Sequence, residues 1–332
     1  MHYHWRMNKT GLLIIFLNFL FFAAQGQKDT VIERKKYFTK QLNGTVTLDG
    51  IPSEEVWNSV EWGGDFTQWQ PNEGKPPSQQ TNFKILYDEK FLYIGYRCHD
   101  LAPDSIIKRM GRRDEFPGDW VEINIDSYHD QRTAFSFTLS VSGVRNDEFV
   151  SNDGNNWDVS WSPIWFSKTH VDDKGWTGEV KIPLSQLRYG NEPEKVWGIQ
   201  FMRRLFRKEE RSIWQYIPQN SGVWVSRFGE LHGLKNIPMY RQVEIAPYVI
   251  MQADKYKKEA GNPFAKGFDT RLTGGLDGKF AVTNDLILDF TINPDLDKWK
   301  QTLHKYVLMG FKIFFRNEDH FLLRAEIFSI TS

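Results

Sequence analysis

The segment from Gly118 to Asp130 reads Gly-Asp-Trp-Val-Glu-Ile-Asn-Ile-Asp-Ser-Tyr-His-Asp and concentrates side chains that can bind or ionise. Val121, Ile123 and Ile125 alternate with Trp120, Glu122, Asn124 and Asp126. An extended strand therefore turns the aliphatic residues to one face and an indole, two carboxyls and an amide to the other. Burying such a carboxylate without a partner costs several kcal/mol, so that face must be wet, paired or built to meet a ligand. The chemistry it offers is polar recognition: carboxylates and amides bind hydroxyl groups, and a flat ring beside them packs on apolar C–H faces.

Other chemistries find little support. The single cysteine, Cys98, sits in an apolar run and reads as an inert buried thiol, with neither a disulfide framework nor a zinc cluster around it. Cys98-His99-Asp100 resembles a triad in print, but neighbours on a strand point to opposite faces. There is no His-Glu-x-x-His and no glycine-rich phosphate loop. Haem would need axial ligands, and His99, His129, Met110 and Met202 show no convincing pairing. Asp119, Asp126 and Asp130 are acids that a structural calcium ion could use, given six or more oxygens in all. Arg203, Arg204 and Arg207 beside Glu209 and Glu210 read as a solvated ion-pair ladder. The chain carries 42 basic and 42 acidic residues in 332, so no basic excess argues for nucleic acid.

The elements that must position these groups are strands. Residues 1–26, with Arg6 and Lys9 before the apolar run Gly11 to Ala24 and a small-residue ending Ala24-Gln25-Gly26, read as a signal peptide for export. Residues 27–39 are a linker. From Thr45 onward the text is β: a short strand over Thr45 to Asp49, one helical turn within Pro52 to Val60 carrying Trp57 inward, and a hairpin of Phe83 to Tyr87 with Phe91 to Tyr96 around Asp88-Glu89-Lys90. Further strands are expected at Val121 to Asp126, Phe135 to Val141, Trp161 to Phe166, Trp176 to Ile182, Trp197 to Phe201, Ser212 to Tyr216 and Phe228 to Leu231. Short strands with turn residues between them predict an all-β chain whose residues 40–237 form a β-sandwich. The 13 tryptophans suit such packing and also suit stacking platforms.

Leu48-Asp49-Gly50 with Trp57, Tyr87 to Tyr93, Asp119-Trp120-Val121-Glu122-Ile123 with Asp126, Gly175-Trp176 with Glu179 and Ile182-Pro183, Trp197-Gly198, and Phe228-Gly229-Glu230-Leu231 follow one another in a familiar order. Together they resemble the family 9 carbohydrate-binding module over about 190 residues. The resemblance implies a secreted immunoglobulin- or jelly-roll-like sandwich that binds a poly- or oligosaccharide and is often joined to glycoside-degrading machinery. It also implies site residues. In sugar-binding members two tryptophan rings sandwich a sugar; the second matches Trp224, with Asn220 in the same loop, and the first falls at Phe116. An acidic position maps onto Glu122, next to Trp120, while the family's arginine falls near Thr138, where this chain has none. Asn152, Asp153 and Trp157 are expected in the same region. A hydrolytic role would need two carboxylates about 5 to 9.5 Å apart, and Glu122 and Asp126 lie four strand residues, roughly 13 Å, from each other.

Arg112-Arg113-Asp114, followed by Asp119 to Glu122, Asp126 and Asp130, is similar to large secreted proteins in which this module precedes an outer-membrane β-barrel. Residues 238–295 fit its first strands: Val243 to Met251, then a hairpin of Gly275 to Val282 with Leu286 to Ile292, in which apolar and polar side chains alternate at period two. The expected location is the periplasm or outer membrane of a Gram-negative bacterium. After Asn293-Pro294-Asp295 the resemblance stops. One deleted base converts codons for the family's Phe-Gly-Gln-Val-Glu-Ala-Asp into those for Leu296-Asp297-Lys298-Trp299-Lys300-Gln301-Thr302, so residues 296–332 read as an out-of-frame tail and the barrel as truncated.

Overall fold

The computed structural model describes residues 33–116, 118–238, 243–255, 267–281, 286–292, 307–316 and 322–331, the last two by backbone alone. Nineteen strands are named among them. The first seven are β1 (Lys36–Phe38), β2 (Lys40–Gln41), β3 (Thr67–Gln70), β4 (Thr81–Tyr87), β5 (Phe91–His99), β6 (Trp120–Asp126) and β7 (Ala134–Ser140). Then come β8 (Arg145–Ser151), β9 (Asn156–Asp158), β10 (Phe166–Asp172), β11 (Gly175–Pro183), β12 (Glu194–Leu205), β13 (Glu210–Ile213) and β14 (Gly229–Lys235). The last five are β15 (Val243–Lys255), β16 (Phe268–Ala281), β17 (Leu286–Ile292), β18 (Val307–Arg316) and β19 (Leu322–Thr331).

One sheet runs β1-β14-β12-β6-β7-β8-β9, with β13 and β3 continuing beside β12; a second runs β10-β11-β5-β4-β2. Their facing sides supply a single core, in which Val121, Ile123, Ile125, Phe137, Ile199 and Phe201 meet Phe83, Ile94, Tyr96, Cys98 and Trp176. Phe83 stacks on Phe201 with ring centroids 3.9 Å apart, which joins β4 to β12 across the layers. The all-β sandwich expected from the alternating runs is the observed architecture. The turn around Glu55–Ser59 buries Trp57 against the outer side of the second sheet, with Leu86 and Tyr93.

Three expectations need correction. Thr45 to Asp49 is unpaired; the Asp49 and Gly50 amides instead donate to the Glu179 carboxylate at 3.0 and 2.8 Å, so this stretch is tied down by a side chain rather than a ladder. Trp161 to Trp165 is irregular, and β10 begins only at Phe166, because the Trp161 and Trp165 rings both pack edge-on against Phe137. The arginine ladder is solvated only at Arg204, which pairs with the exposed Glu209 at 3.0 Å. Arg203 is 1% exposed and donates to the carbonyls of Gln80 and His99 and to Thr81 Oγ1, and Arg207 grips Asp100 through two hydrogen bonds.

A third sheet, β15 to β19 in sequence order, is antiparallel throughout. On β15 the side chains of Val243, Ile245, Val249 and Met251 share one face and are 56 to 75% exposed, and Leu272 across from Met251 is 74% exposed. The expected β16–β17 hairpin is present. The leader, residues 1–26, and the start of the tail, residues 296–306, lie outside the described residues.

Candidate functional site

The outward face of β6 is not wet: Trp120, Glu122, Asn124 and Asp126 are all buried, at 3, 7, 0 and 1%. Residues directly opposite one another in a sheet share a face, and the register extends this face sideways. Glu122 lies opposite Thr138, which lies opposite Asn146; Asn124 lies opposite Ser136, which lies opposite Glu148. Two rows of three result, with carboxyls at one pair of diagonal corners, amides at the other and hydroxyls in the middle. Each amide donates to the carboxyl of its own strand, Asn124 Nδ2 to Glu122 at 2.7 Å and Asn146 Nδ2 to Glu148 at 3.3 Å. Asn124 Oδ1, Asn146 Oδ1, Ser136 Oγ and Thr138 Oγ1 make no hydrogen bond within the protein. Leaving such atoms buried costs about 1–3 kcal/mol each unless something binds them.

Apolar groups frame this floor. Trp120 precedes Glu122, Met202 lies opposite it on β12, and Ala134 and Val150 follow the hydroxyl and carboxyl positions; all four belong to one cluster with Ile213, Ile217, Val225 and Phe228. Two walls rise from the frame. Phe116, 38% exposed, tilts against Trp120 with centroids 6.0 Å apart. Its loop returns along β8, where the Asp114 amide donates to the Arg145 carbonyl and Arg113 pairs with Asp147 at 2.6 Å. The other wall is Trp224, partly buried, packed on the frame with Trp69 and Trp157.

Trp224 is held from behind. Its amide and that of Ser226 donate to Asp153 Oδ1, the Ser226 hydroxyl donates to Asp153 Oδ2, and its ring meets Trp69 and Phe228 at 5.8 Å each. Gly154, at φ +91°, lets the backbone pass so close that a Cβ there would fall 2.4 Å from Trp224 Cβ. A recess of about 190 Å³ opens beside the ring, lined by Trp69, Asp153, Asn155, Pro218 and Gln219 among others. Asn220 is exposed and outside that lining; the neighbouring Gln219, also exposed, is part of it and donates to the Trp69 carbonyl.

Burial pushes the Glu122 carboxyl up to about 7; the Asn124 hydrogen bond opposes the rise, the charge of Glu148 adds to it, and Arg211 opposes it. Glu148 is also raised, chiefly by burial, with Asp114 and Asp147 adding to it against the Asn146 hydrogen bond. Arg211 lies over the Trp120 ring, 5.8 Å from its centroid, so a cation from β13 stands near the floor although Thr138 occupies the expected arginine's place.

Calcium at Asp119 and Asp126 is not supported. They stand at opposite ends of β6, and each accepts backbone amides: Asp119 from Phe206, Asp126 from Asp130 and Gln131. Among the described residues no group of three His, Cys, Asp or Glu side chains is placed to hold a metal. Of the residues expected from sequence, Glu122, Trp120, Phe116, Trp224, Asp153 and Trp157 share this face of the sheet. Thr138 enters as the centre of the floor, and Ser136, Asn146 and Glu148 were missed.

The sequence profile of the family described as "Carbohydrate family 9 binding domain-like" matches residues 48–215. Among curated proteins none matches the chain. Two solved structures that are similar are of a carbohydrate binding module family 9 from Caldicellulosiruptor kristjanssonii. The one in complex with glucose has a TM-score of 0.46 at 16% identity, covering 61% of this chain and 97% of that one. The one in complex with cellotriose has a TM-score of 0.46 at 17% identity, covering 62% and 100%.

Proposed function

The chain belongs, through residues 48–215, to the carbohydrate family 9 binding domain-like family, and from that premise we propose that it binds a saccharide over the floor between Phe116 and Trp224. The reading is carried by the four buried oxygens of Asn124, Ser136, Thr138 and Asn146 that no protein group satisfies. A pyranose offers hydroxyl donors for such oxygens and apolar C–H faces for the flanking rings. Titration calorimetry of the intact chain with cello- or xylo-oligosaccharides is expected to show binding that Trp224→Ala weakens by at least about 2 kcal/mol. A glycan array on which nothing binds the intact chain would overturn the reading.

The wider setting is part of the same proposal. The leader-like residues 1–26 support export to the periplasm or outer membrane of a Gram-negative bacterium, and the family resemblance supports a place in carbohydrate catabolism. The domain plan is a sandwich that runs to residue 237 and begins with β1 at Lys36, inside the stretch expected to be a linker, since β1 pairs with β14 and buries Tyr37; barrel strands from 238 to 295 follow. The exposed apolar face of β15 and β16 supports contact with lipid by those strands, since alternate residues of a membrane barrel face hydrocarbon. The reading of residues 296–332 as an out-of-frame tail stays with this proposal, and resequencing the gene tests it. A second reading, hydrolysis of O-glycosyl bonds in association with the full-length protein, draws on Glu122 and Glu148 as two carboxyls on one floor; release of nitrophenol from aryl glycosides tests it.

A further inference from the structure

The floor is lopsided in its hydrogen bonding. Each amide N–H₂ already commits one of its two N–H groups to a glutamate, so what is left over is two amide oxygens, two hydroxyls, the remaining carboxyl oxygens and one N–H on each amide. Acceptors outnumber donors there. The charge is lopsided as well. Among the described residues neither Glu122 nor Glu148 forms an ion pair; Arg113 is committed to Asp147, Arg204 to Glu209 and Arg207 to Asp100, while Arg211 spreads over the Trp120 ring. Glu122 and Glu148, at 7 and 8%, keep the most exposure of the six floor residues.

Resting on the saccharide reading above, we propose that the preferred ligand is a glycan carrying unacetylated amines, whose ammonium groups supply the donors and the positive charge that Glu122 and Glu148 lack. An ammonium group has three donors and no acceptor, the complement of this floor. A neutral sugar satisfies the oxygens through its hydroxyls and leaves the carboxyls uncompensated. A uronate brings acceptors and negative charge to acceptors and negative charge, and is excluded.

The test compares four β-1,4-linked trimers on the intact chain at neutral pH: fully deacetylated chitotriose, its N-acetylated form, cellotriose and cellotriose oxidised to uronate. Expected is an affinity for the amine trimer about tenfold or more above cellotriose, with no binding of the uronate. In Glu148→Gln and in Glu122→Gln, checked for an unchanged melting transition, the ratio of amine-trimer to cellotriose affinity falls towards one. Should either variant bind nothing, proton linkage in the wild type decides. Calorimetry at about pH 5.5, where the sugar amines are already protonated and the raised carboxyls are not yet ionised, in two buffers of different ionisation heat, is expected to show protons leaving the floor with the amine trimer and not with cellotriose. The groups facing those carboxyls are Arg211, Asp114 and Asp147, with Arg113 paired to Asp147. Equal affinity for amine and neutral trimers, a ratio untouched by both substitutions, or no difference in proton release overturns the proposal while leaving saccharide binding intact. Failure of all four trimers to bind removes the saccharide reading itself.

Discussion

Glu122 shows what a buried acid does to the residue around it. Its carboxyl is raised from 4.5 to about 7, first by loss of water. The folded chain therefore holds this proton more tightly than the unfolded chain. Below pH 4.5 both forms are protonated and the group is neutral in its effect. As pH rises through the window to about 7 the native state loses stability, up to about 3 kcal/mol, and the loss is complete above it. Glu122→Gln is expected to be more stable than the parent on the alkaline side and to have a flatter profile across the window, read from urea midpoints on either side of it. A glutamine variant that is weaker at alkaline pH would mean the carboxylate is held charged by a partner. Asp126 and Glu179, each pushed to about 7 by burial, keep part of the slope in the variant. That destabilisation is a reason to regard the floor as retained for binding rather than for stability.

At the scale of the strands, the two layers are joined by more than apolar packing. Arg203 on β12 reaches across to the Gln80 and His99 carbonyls and to Thr81 at the end of the facing sheet, with contacts of 2.9 to 3.2 Å. Arg203→Met keeps most of the volume but removes the bonds to the His99 carbonyl, to Thr81 Oγ1 and to the Gln80 carbonyl, which still accepts from the His99 amide, a cost of about 3 kcal/mol in chemical denaturation. A loss below about 0.5 kcal/mol would mean that water takes over those contacts. Arg203 was read from sequence as part of a solvated ladder because charge usually marks a surface, and nothing local to β12 reveals the carbonyls it meets. The same limit hid half of the floor. Trp120 to Asp126 announced itself by alternating with aliphatic residues, whereas Arg145-Asn146-Asp147-Glu148 has no apolar member and reads as a loop. Its strand character comes from pairing with β7 across a short hairpin, which no apolar alternation marks in these four residues. Glu122 was therefore legible and its counterpart Glu148 was not.

For the molecule as a whole, the sandwich was visible in its repeated aromatic and aliphatic runs, and so was the fate of Cys98. That thiol lies at the centre of the core, fully buried, and burial pushes it up to about 12. Thiolate is the reactive form, so iodoacetamide is expected to leave the native chain unlabelled and to modify Cys98 at the rate of global opening as urea is raised. Rapid labelling without denaturant would mean the two layers part locally. Reading Glu122, Thr138, Asn146 along one row and Glu148, Ser136, Asn124 along the other gives carboxyl, hydroxyl, amide in both cases, in opposite directions. The pattern nearly repeats under a half-turn about β7, so a guest inverted end for end meets the same groups, and the floor by itself does not sense the polarity of a polymer laid across it.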